Sequence, residues 1–222
     1  MAACGGSDLD PGAGNAAGAG TGTLVINGSA HASPRLINAR MKTEFDTELT
    51  VRVSRDDQPI TTGTVTITSA SGKVALTYRA NENHWTGSAP NYDEVYVLDV
   101  VSGADRLEGV RVDGPDIHVF SEPSEGANIE TTMPLTIRWD RGDEAFTTQL
   151  RADTFEPITI PDTGTYSLAS GSLKADKSQP WQQTLRLLRT NHVVPSGAPG
   201  GSWDVTIENR LDVIAQVLPI PL

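Results

Sequence analysis

The sequence contains little cysteine, no long apolar run and more acidic than basic residues. Each of these features excludes a kind of bond, segment or partner. Its 222 residues include a single cysteine, Cys4, so no disulfide can form within the chain. No run approaches the roughly 18 apolar residues that a membrane-spanning helix needs. Lys and Arg number 17 against 28 Asp and Glu, and the resulting net charge of −11 repels phosphate backbones. The composition therefore argues against nucleic acid as a partner.

Motifs of catalysis and of metal binding are also scarce. No Gly-x-Ser-x-Gly, P-loop or Gly-x-Gly-x-x-Gly sequence occurs. The four histidines stand apart in the sequence: His31, His84, His118 and His192. The acidic residues 140–144 lack the residue order of a calcium-binding loop and are typical of a solvated turn. The sequence predicts no catalytic residue, no metal site and no cofactor.

One tripeptide, Asp162-Thr163-Gly164, matches the signature of aspartic proteases. That mechanism needs two aspartates that share a proton, and the chain holds one copy of the motif. A glycine turn between two strands accounts for the same residues through ordinary turn chemistry. We therefore interpret the tripeptide as a turn.

Short alternating apolar runs, separated by many of the 21 glycines and 14 prolines, dominate what the sequence does contain. The clearest run covers residues 45–53, where Phe45, Leu49 and Val51 share one face and charged residues share the other. Residues 182–189 predict a strand in preference to a helix, because the second half of the chain otherwise lacks a late strand. These patterns indicate an all-β protein.

The chain breaker Asp113-Gly114-Pro115 separates two groups of strands, each long enough to bury a core. We predict three segments: residues 1–22, a disordered tether rich in Gly and Ala; residues 23–115, one β-sandwich; and residues 116–222, a second β-sandwich. The tether prediction rests on residues 5–22, which hold almost nothing that could pack.

Two stretches resemble known sandwich families. Residues 62–100 resemble bacterial immunoglobulin-like domains, with a strand pair across a glycine turn, a Trp85-Thr86-Gly87 segment and a Tyr-rich late strand. Residues 134–139, Pro-Leu-Thr-Ile-Arg-Trp, resemble the second strand of fibronectin type III domains, where a tryptophan fills the centre of the sandwich. The resemblance implies two tandem immunoglobulin-like antiparallel β-sandwiches, although the cysteine pair of antibody domains is absent.

The first residues, Met1-Ala2-Ala3-Cys4, resemble the end of a bacterial lipoprotein signal, in which small residues precede an acylated cysteine. The basic and apolar regions of such a signal do not precede them. The resemblance implies that Cys4 is the lipid attachment site and that the protein is extracytoplasmic, anchored to a bacterial membrane and facing the periplasm or the cell surface. The alternative is an incidental thiol in a disordered tail.

These observations predict a non-catalytic envelope or surface lipoprotein with a structural or protein-binding role. Its partners would be the membrane, through acylated Cys4, and another envelope protein. The alternative is a carbohydrate-binding surface protein that contacts polysaccharide through Trp85 or Trp181, which are flanked by polar residues. Trp139 and Trp203 alternate with aliphatic residues and are expected in cores. An enzyme of unidentified type is a third hypothesis, because catalytic triads are defined by geometry and not by sequence order.

Overall fold

A computed structural model describes residues 9–175, 179–197 and 200–217. The strands of the first half are β1 (Ala16–Gly20), β2 (Val25–Pro34), β3 (Phe45–Arg55), β4 (Gln58–Pro59), β5 (Thr64–Ser69), β6 (Gly72–Ala75), β7 (Thr77–Arg79), β8 (His84–Pro90), β9 (Val95–Ser102) and β10 (Asp105–Asp113). Those of the second half are β11 (Val119–Glu122), β12 (Asn128–Glu130), β13 (Leu135–Asp140), β14 (Thr147–Ala152), β15 (Phe155–Ile160), β16 (Thr165–Leu168), β17 (Trp181–Val193) and β18 (Ser202–Gln216). A short 3-10 helix lies at Lys42–Glu44. Among the described residues, no helix has the length and apolarity that crossing a bilayer requires.

The strands build three sheets, so the chain is all-β with antiparallel and mixed sheets. The first sheet has the order β1-β10-β9-β5-β6, and the second has the order β11-β13-β16. The third and largest has the order β15-β14-β17-β18-β2-β3-β8-β7, with β12 beside β18 and β4 beside β3. Its pairings are antiparallel except that β18 runs parallel to both β2 and β12.

Two hydrophobic cores lie between these sheets. The first core joins the five-stranded sheet to the β2, β3 and β8 part of the large sheet, and Phe45, Leu49 and Leu98 are fully buried in it. The second core joins the three-stranded sheet to β14, β17 and β18, and Ile137 and Leu150 are fully buried there. Each core forms because alternate residues of facing strands turn the same apolar face inward.

Strand β18 contributes to both cores. Its first half pairs in parallel with β2 and buries Trp203, Val205 and Ile207 in the first core. Its second half buries Leu211 and Val213 in the second core. Two tandem immunoglobulin-like sandwiches are therefore not confirmed, because the last strand of the chain also closes the first core. The boundaries 23–115 and 116–222 stay a prediction.

Residues 16–20, predicted as part of a disordered tether, form β1 and pair with β10. A Cβ atom on Gly20 would lie 2.2 Å from the carbonyl oxygen of Arg106, and one on Gly18 would lie 2.6 Å from that of Glu108. Glycine is the residue that lets the two backbones approach this closely. The tether prediction is wrong here, because a composition that cannot pack side chains can still form main-chain hydrogen bonds along a sheet edge.

Two local predictions are confirmed by the strand bounds. Strand β3 covers the alternating run, with Phe45, Leu49 and Val51 fully buried and Glu48 exposed. The segment 182–189 lies within the strand β17, not in a helix.

Buried polar side chains hold the linker between the two halves. Arg189, on β17, is fully buried, and its Nη1 donates to the carbonyl oxygen of Asp116 at 2.8 Å. Its Nε and Nη2 donate to Asp162 Oδ2 at 3.0 and 2.9 Å. Asn209, on β18, is also fully buried and donates to the carbonyl oxygen of His118 at 2.7 Å. We call these groups, with the linker residues 114–118, the joint.

We expect Arg189→Met to destabilise the protein by about 3–5 kcal/mol, because it leaves the buried Asp162 carboxylate without its hydrogen-bonded counter-charge, with only Arg141 nearby at 4.0 Å. Urea unfolding followed by tryptophan fluorescence measures the change in the free energy of unfolding. Arg138→Met is the matched control, since Arg138 is 57% exposed and pairs with Glu122 at the surface. Its loss should be at most about 1 kcal/mol. Equal losses in the two variants would contradict a stabilising role for the joint.

Candidate functional site

The predicted lipid attachment site, Cys4, lies outside the described residues, but the segment that follows it can be traced to the joint. Asp113 Oδ2 accepts hydrogen bonds from the main-chain N–H groups of Gly12 and Gly14, at 3.0 and 2.9 Å. The Arg111 guanidinium donates to the carbonyl oxygen of Asp10. The chain thus approaches the body at the end of β10, beside the linker.

Asn15 connects this segment to both halves of the molecule. Its Oδ1 accepts from the N–H of Asp113 at 2.9 Å, and its Nδ2 donates to the carbonyl oxygen of His192 on β17 at 3.1 Å. Ser196 Oγ donates to the carbonyl oxygen of Gly18. We call residues 10–20 the N-terminal clasp, because they bind β10 on one side and the β17 region on the other.

Trp85 is not the exposed side chain that its polar neighbours suggested. It is 6% exposed and packs in the first core, where its ring centroid lies 5.5 Å from that of Tyr78. Its Nε1 donates to the carbonyl oxygen of Ile60 at 3.0 Å. The expectation is wrong because β8 lies between β3 and β7, so the residue between polar neighbours points inward.

Trp181 is 48% exposed, in agreement with the expectation of an exposed side chain. It begins β17, opposite Ala215 of β18, at the end of the second core. Residues 182 and 184 lie on the opposite face of β17, where Gln182 Nε2 and Thr184 Oγ1 donate to the two Asp212 oxygens at 2.9 and 2.8 Å and form a polar row. We call the exposed indole of Trp181, at this end of the strand, the Trp181 surface.

The polar row continues across the large sheet. Asp153 accepts hydrogen bonds from the N–H of Thr184 and from Arg186 Nη1, both at 2.9 Å. Desolvation opposes ionisation of Asp153, yet these two bonds hold its pKa below the ordinary value. Glu208 behaves in the same way: partial burial raises its pKa, but His31, Arg151 and Arg186 lower it further than burial raises it. Both carboxylates are therefore anions that order the face of the sheet.

Phe146 is an exposed residue that sequence reasoning missed. It is 69% exposed and lies edge-on to the His192 ring, with the centroids 3.9 Å apart. The sequence pattern groups Phe146 with Thr148 and Leu150 on one strand. Strand β14 begins one residue later, at Thr147, so Phe146 lies just outside the strand. Both Trp139 and Trp203 are buried, as predicted.

The Asp-Thr-Gly tripeptide is a turn between β15 and β16, as interpreted, and its aspartate belongs to the joint. Besides Arg189, Asp162 accepts hydrogen bonds from Trp139 Nε1 at 3.2 Å and from the N–H of Ala145 at 2.7 Å. Burial raises its pKa, but the Arg189 pair and these donors hold the pKa below the ordinary value. Asp162 is thus a fixed structural anion.

The histidines do not come together. His118 is fully buried in the joint, His31 lies 3.8 Å from Glu208, and His84 lies 2.8 Å from Glu82. Within residues 9–175, 179–197 and 200–217, no group of three or more His, Cys, Asp or Glu side chains could hold a metal ion. In the acidic segment 140–144, the N–H of Asp143 donates to Asp116 Oδ2 at 2.9 Å, which ties this segment to the linker.

Comparison with known proteins adds little to this geometry. No family model and no curated protein matches the chain. A structure from a study of the host cell surface retention of a 1.5-MDa bacterial ice-binding adhesin is 15% identical, with a TM-score of 0.25, over 87% of this chain and 66% of that one. A beta-1,2-glucanase from Parabacteroides distasonis is 10% identical, with a TM-score of 0.24, over 94% of this chain and 39% of that one. The chain is thus distantly similar to a bacterial surface adhesin, and similarity this weak carries no argument about function.

The burial of His118 predicts a pH dependence of stability. Its Nε2 lies 3.0 Å from the carbonyl oxygen of Leu187, so Nε2 carries the proton, and Nδ1 has no described partner. Burial, followed by the charge of Arg189, lowers the pKa of His118 to about 3. The unfolded imidazole has a pKa near 6.5, so between the two values the unfolded state binds more protons. Stability should fall as the pH decreases through this window.

Urea unfolding between pH 7 and pH 5 checks the slope, because unfolded carboxyl groups titrate mainly below that range. We expect His118→Gln to reduce the slope by up to about 1.4 kcal/mol per pH unit. Leu187→Val, which changes a buried residue of the second core but removes no titratable group, is the control and should keep the slope of the parent protein. An unchanged slope in His118→Gln would show that this imidazole is not the group responsible.

Proposed function

We propose that this chain is a non-catalytic lipoprotein of a bacterial envelope or surface, with a structural or protein-binding role. Cys4 would carry the lipid, and the two-core body would be presented outside the cytoplasm. Its partners would be the membrane and another envelope protein.

The observation that carries the proposal is the construction of the joint. Strand β18 runs through both cores, and fully buried Arg189 binds the linker at Asp116 and the turn at Asp162. A body built in this way resists bending, because rotating one core against the other would break the continuous large sheet, in which β18 serves both cores. Stiffness suits a spacer or a display module that must hold a binding surface in a defined orientation.

The N-terminal clasp supports the anchored arrangement. Asp10 is already bound by Arg111, and six positions separate it from Cys4. Six residues span at most about 20 Å when fully extended. An acylated Cys4 would therefore hold the joint close to the bilayer. If residues 5–22 were freely flexible instead, the body could diffuse much farther from the membrane.

The buried ionisable groups support a role without catalysis. Asp162 accepts four hydrogen bonds, and Arg189 donates to it and to two carbonyl oxygens. A general base needs a lone pair within reach of a substrate proton. The polar atoms of Asp162 and Arg189 are instead hydrogen-bonded to other groups of the fold.

The lipid anchor is tested by expressing the natural precursor in its source cells and separating membranes from soluble material. We expect the parent protein in the membrane fraction with a lipid mass on Cys4, and Cys4→Ser in the soluble fraction. Cys4→Ser/Ser7→Cys is the matched control, because it keeps one thiol but moves it away from Ala2-Ala3, and it should also be soluble. A parent protein that is soluble and unmodified at Cys4 would overturn the anchor.

Mild crosslinking of the membrane-bound form then tests the protein-binding role. A protein recovered in a fixed stoichiometry supports an envelope assembly component. Recovery of polysaccharide without protein would instead favour the second function, carbohydrate binding.

The second function rests on the Trp181 surface. A half-exposed indole can cover the apolar face of a sugar ring. Trp85 is withdrawn from this hypothesis because it is buried.

If the Trp181 surface binds polysaccharide, Trp181→Ala should weaken binding to envelope polysaccharide by about two- to tenfold, since aromatic contacts are worth about 0.5–1.5 kcal/mol beyond their buried area. Affinity electrophoresis in gels that contain the polysaccharide measures the retardation. Phe146→Ala is the matched control, because it removes another exposed aromatic side chain on a different part of the body. Equal retardation of the parent and Trp181→Ala proteins would reject carbohydrate binding at this surface.

A further inference from the structure

Strand β1 is held without the help of either hydrophobic core. None of its five residues belongs to a core, and the side chains it offers are three methyl groups. Its attachment consists of main-chain pairs with β10 and of hydrogen bonds from Ser196 to Ala17 and Gly18. Segments with few buried apolar contacts open at a small fraction of the global free energy of unfolding.

The edge of β10 that pairs with β1 nevertheless accepts only glycine at two positions of the paired strand. Gly18 and Gly20 lie where a Cβ atom would meet the main chain of β10 at 2.6 and 2.2 Å. Just before β1, Asp113 Oδ2 accepts two main-chain N–H groups, from Gly12 and Gly14. We call the β10 edge from Arg106 to Asp113, together with Ser196, the β10 cradle. It fits an extended segment with glycine at two fixed register positions.

The connection from β1 to β2 can act as a hinge. Only residues 21–24 separate the two strands. Gly22 has a φ of +74°, and no atom lies within 4 Å of the position of its missing Cβ. Thr21 and Thr23 fix either side of it through Arg106 and Asp105. Rotation at Gly22 would swing the N-terminal clasp away without disturbing a core.

We propose that the β10 cradle is a homotypic strand-exchange site, at which the N-terminal clasp of a second copy of this chain replaces the chain's own. A second copy carries the glycine spacing that the cradle requires, so the contacts within a chain are reproduced between chains. The proposal goes beyond the proposed function and does not depend on lipidation.

The protein concentration determines whether the exchanged or the unexchanged form predominates. The exchanged and unexchanged forms make the same hydrogen bonds, so the clasp of the same chain is favoured in dilute solution by its high effective concentration. Crowding many copies together raises the concentration of competing clasps until exchange between chains becomes populated.

Two single-cysteine proteins test the exchange, both in a Cys4→Ser background that removes the native thiol. One carries Ala19→Cys and the other Glu108→Cys, two exposed positions that face each other across β1 and β10. Directly opposed residues of antiparallel strands have Cα atoms about 4.5–5.5 Å apart, within the span of a disulfide. A disulfide between the two proteins requires that the clasp of one occupy the cradle of the other.

The two proteins differ by a small tag and are mixed at high concentration in a glutathione redox buffer. We expect a mixed disulfide on non-reducing gels at about ten times or more the yield of a control pair, because strand pairing raises the effective concentration of the thiols. The control pair combines Ala19→Cys with Glu48→Cys. Glu48 is exposed and lies on β3, in the large sheet. Adding Gly20→Val to the Ala19→Cys protein should reduce the yield to that of the control.

The double variant Ala19→Cys/Glu108→Cys establishes that the pair can close in a folded chain, since it should form a disulfide within one molecule. If it closes but the mixed single variants give no more product than the control pair, strand exchange is overturned. The proposal is also overturned if Gly20→Val leaves the mixed yield unchanged, because the product would not then depend on the fit to the cradle.

Discussion

The buried ion pair between Arg189 and Asp162 is the interaction on which the rest of the structure depends. One guanidinium bonds to the linker at Asp116, to the loop at Asp143 and to the turn at Asp162, while Trp139 from the second core bonds to the same carboxylate. A charge buried this deeply is tolerable only when its partners are all in place. The second half of the chain therefore holds the end of the linker, at Asp116, in one position.

Strand β18 and the N-terminal clasp, at the two ends of the described chain, each connect one half of the chain to the other. Strand β18 fills a place in the first core that the first half of the chain leaves open, and Asn15 of the clasp links the end of β10 to β17. The outcome is a body in which one sheet continues across both cores and in which the N-terminal segment lies beside the joint. Its exposed features include Trp181 and several residues of β1.

Much of the local structure could be predicted from the sequence, because strand periodicity is a local property. The alternation of residues 45–53 matched β3, and Trp139 and Trp203, which alternate with aliphatic residues, proved to be buried. The candidate site was predicted less well. Trp85 and Trp181 have similar polar neighbours, but Trp85 lies on a strand inside a sheet and Trp181 lies at the open end of one. Sequence neighbours do not record which strands flank a residue in space.

The sequence by itself determined the all-β class, the lone cysteine beside small residues and the scarcity in residues 5–22 of side chains that could pack, since each of these follows from residue types and their spacing. Only the tertiary structure decided that Ala16–Gly20 would become a strand, that β18 would serve two cores and that Arg189 would be buried. Those outcomes depend on hydrogen bonds and charge partners between segments far apart in the chain. Strand pairing satisfies main-chain groups that every residue carries, so composition does not reveal where it will occur.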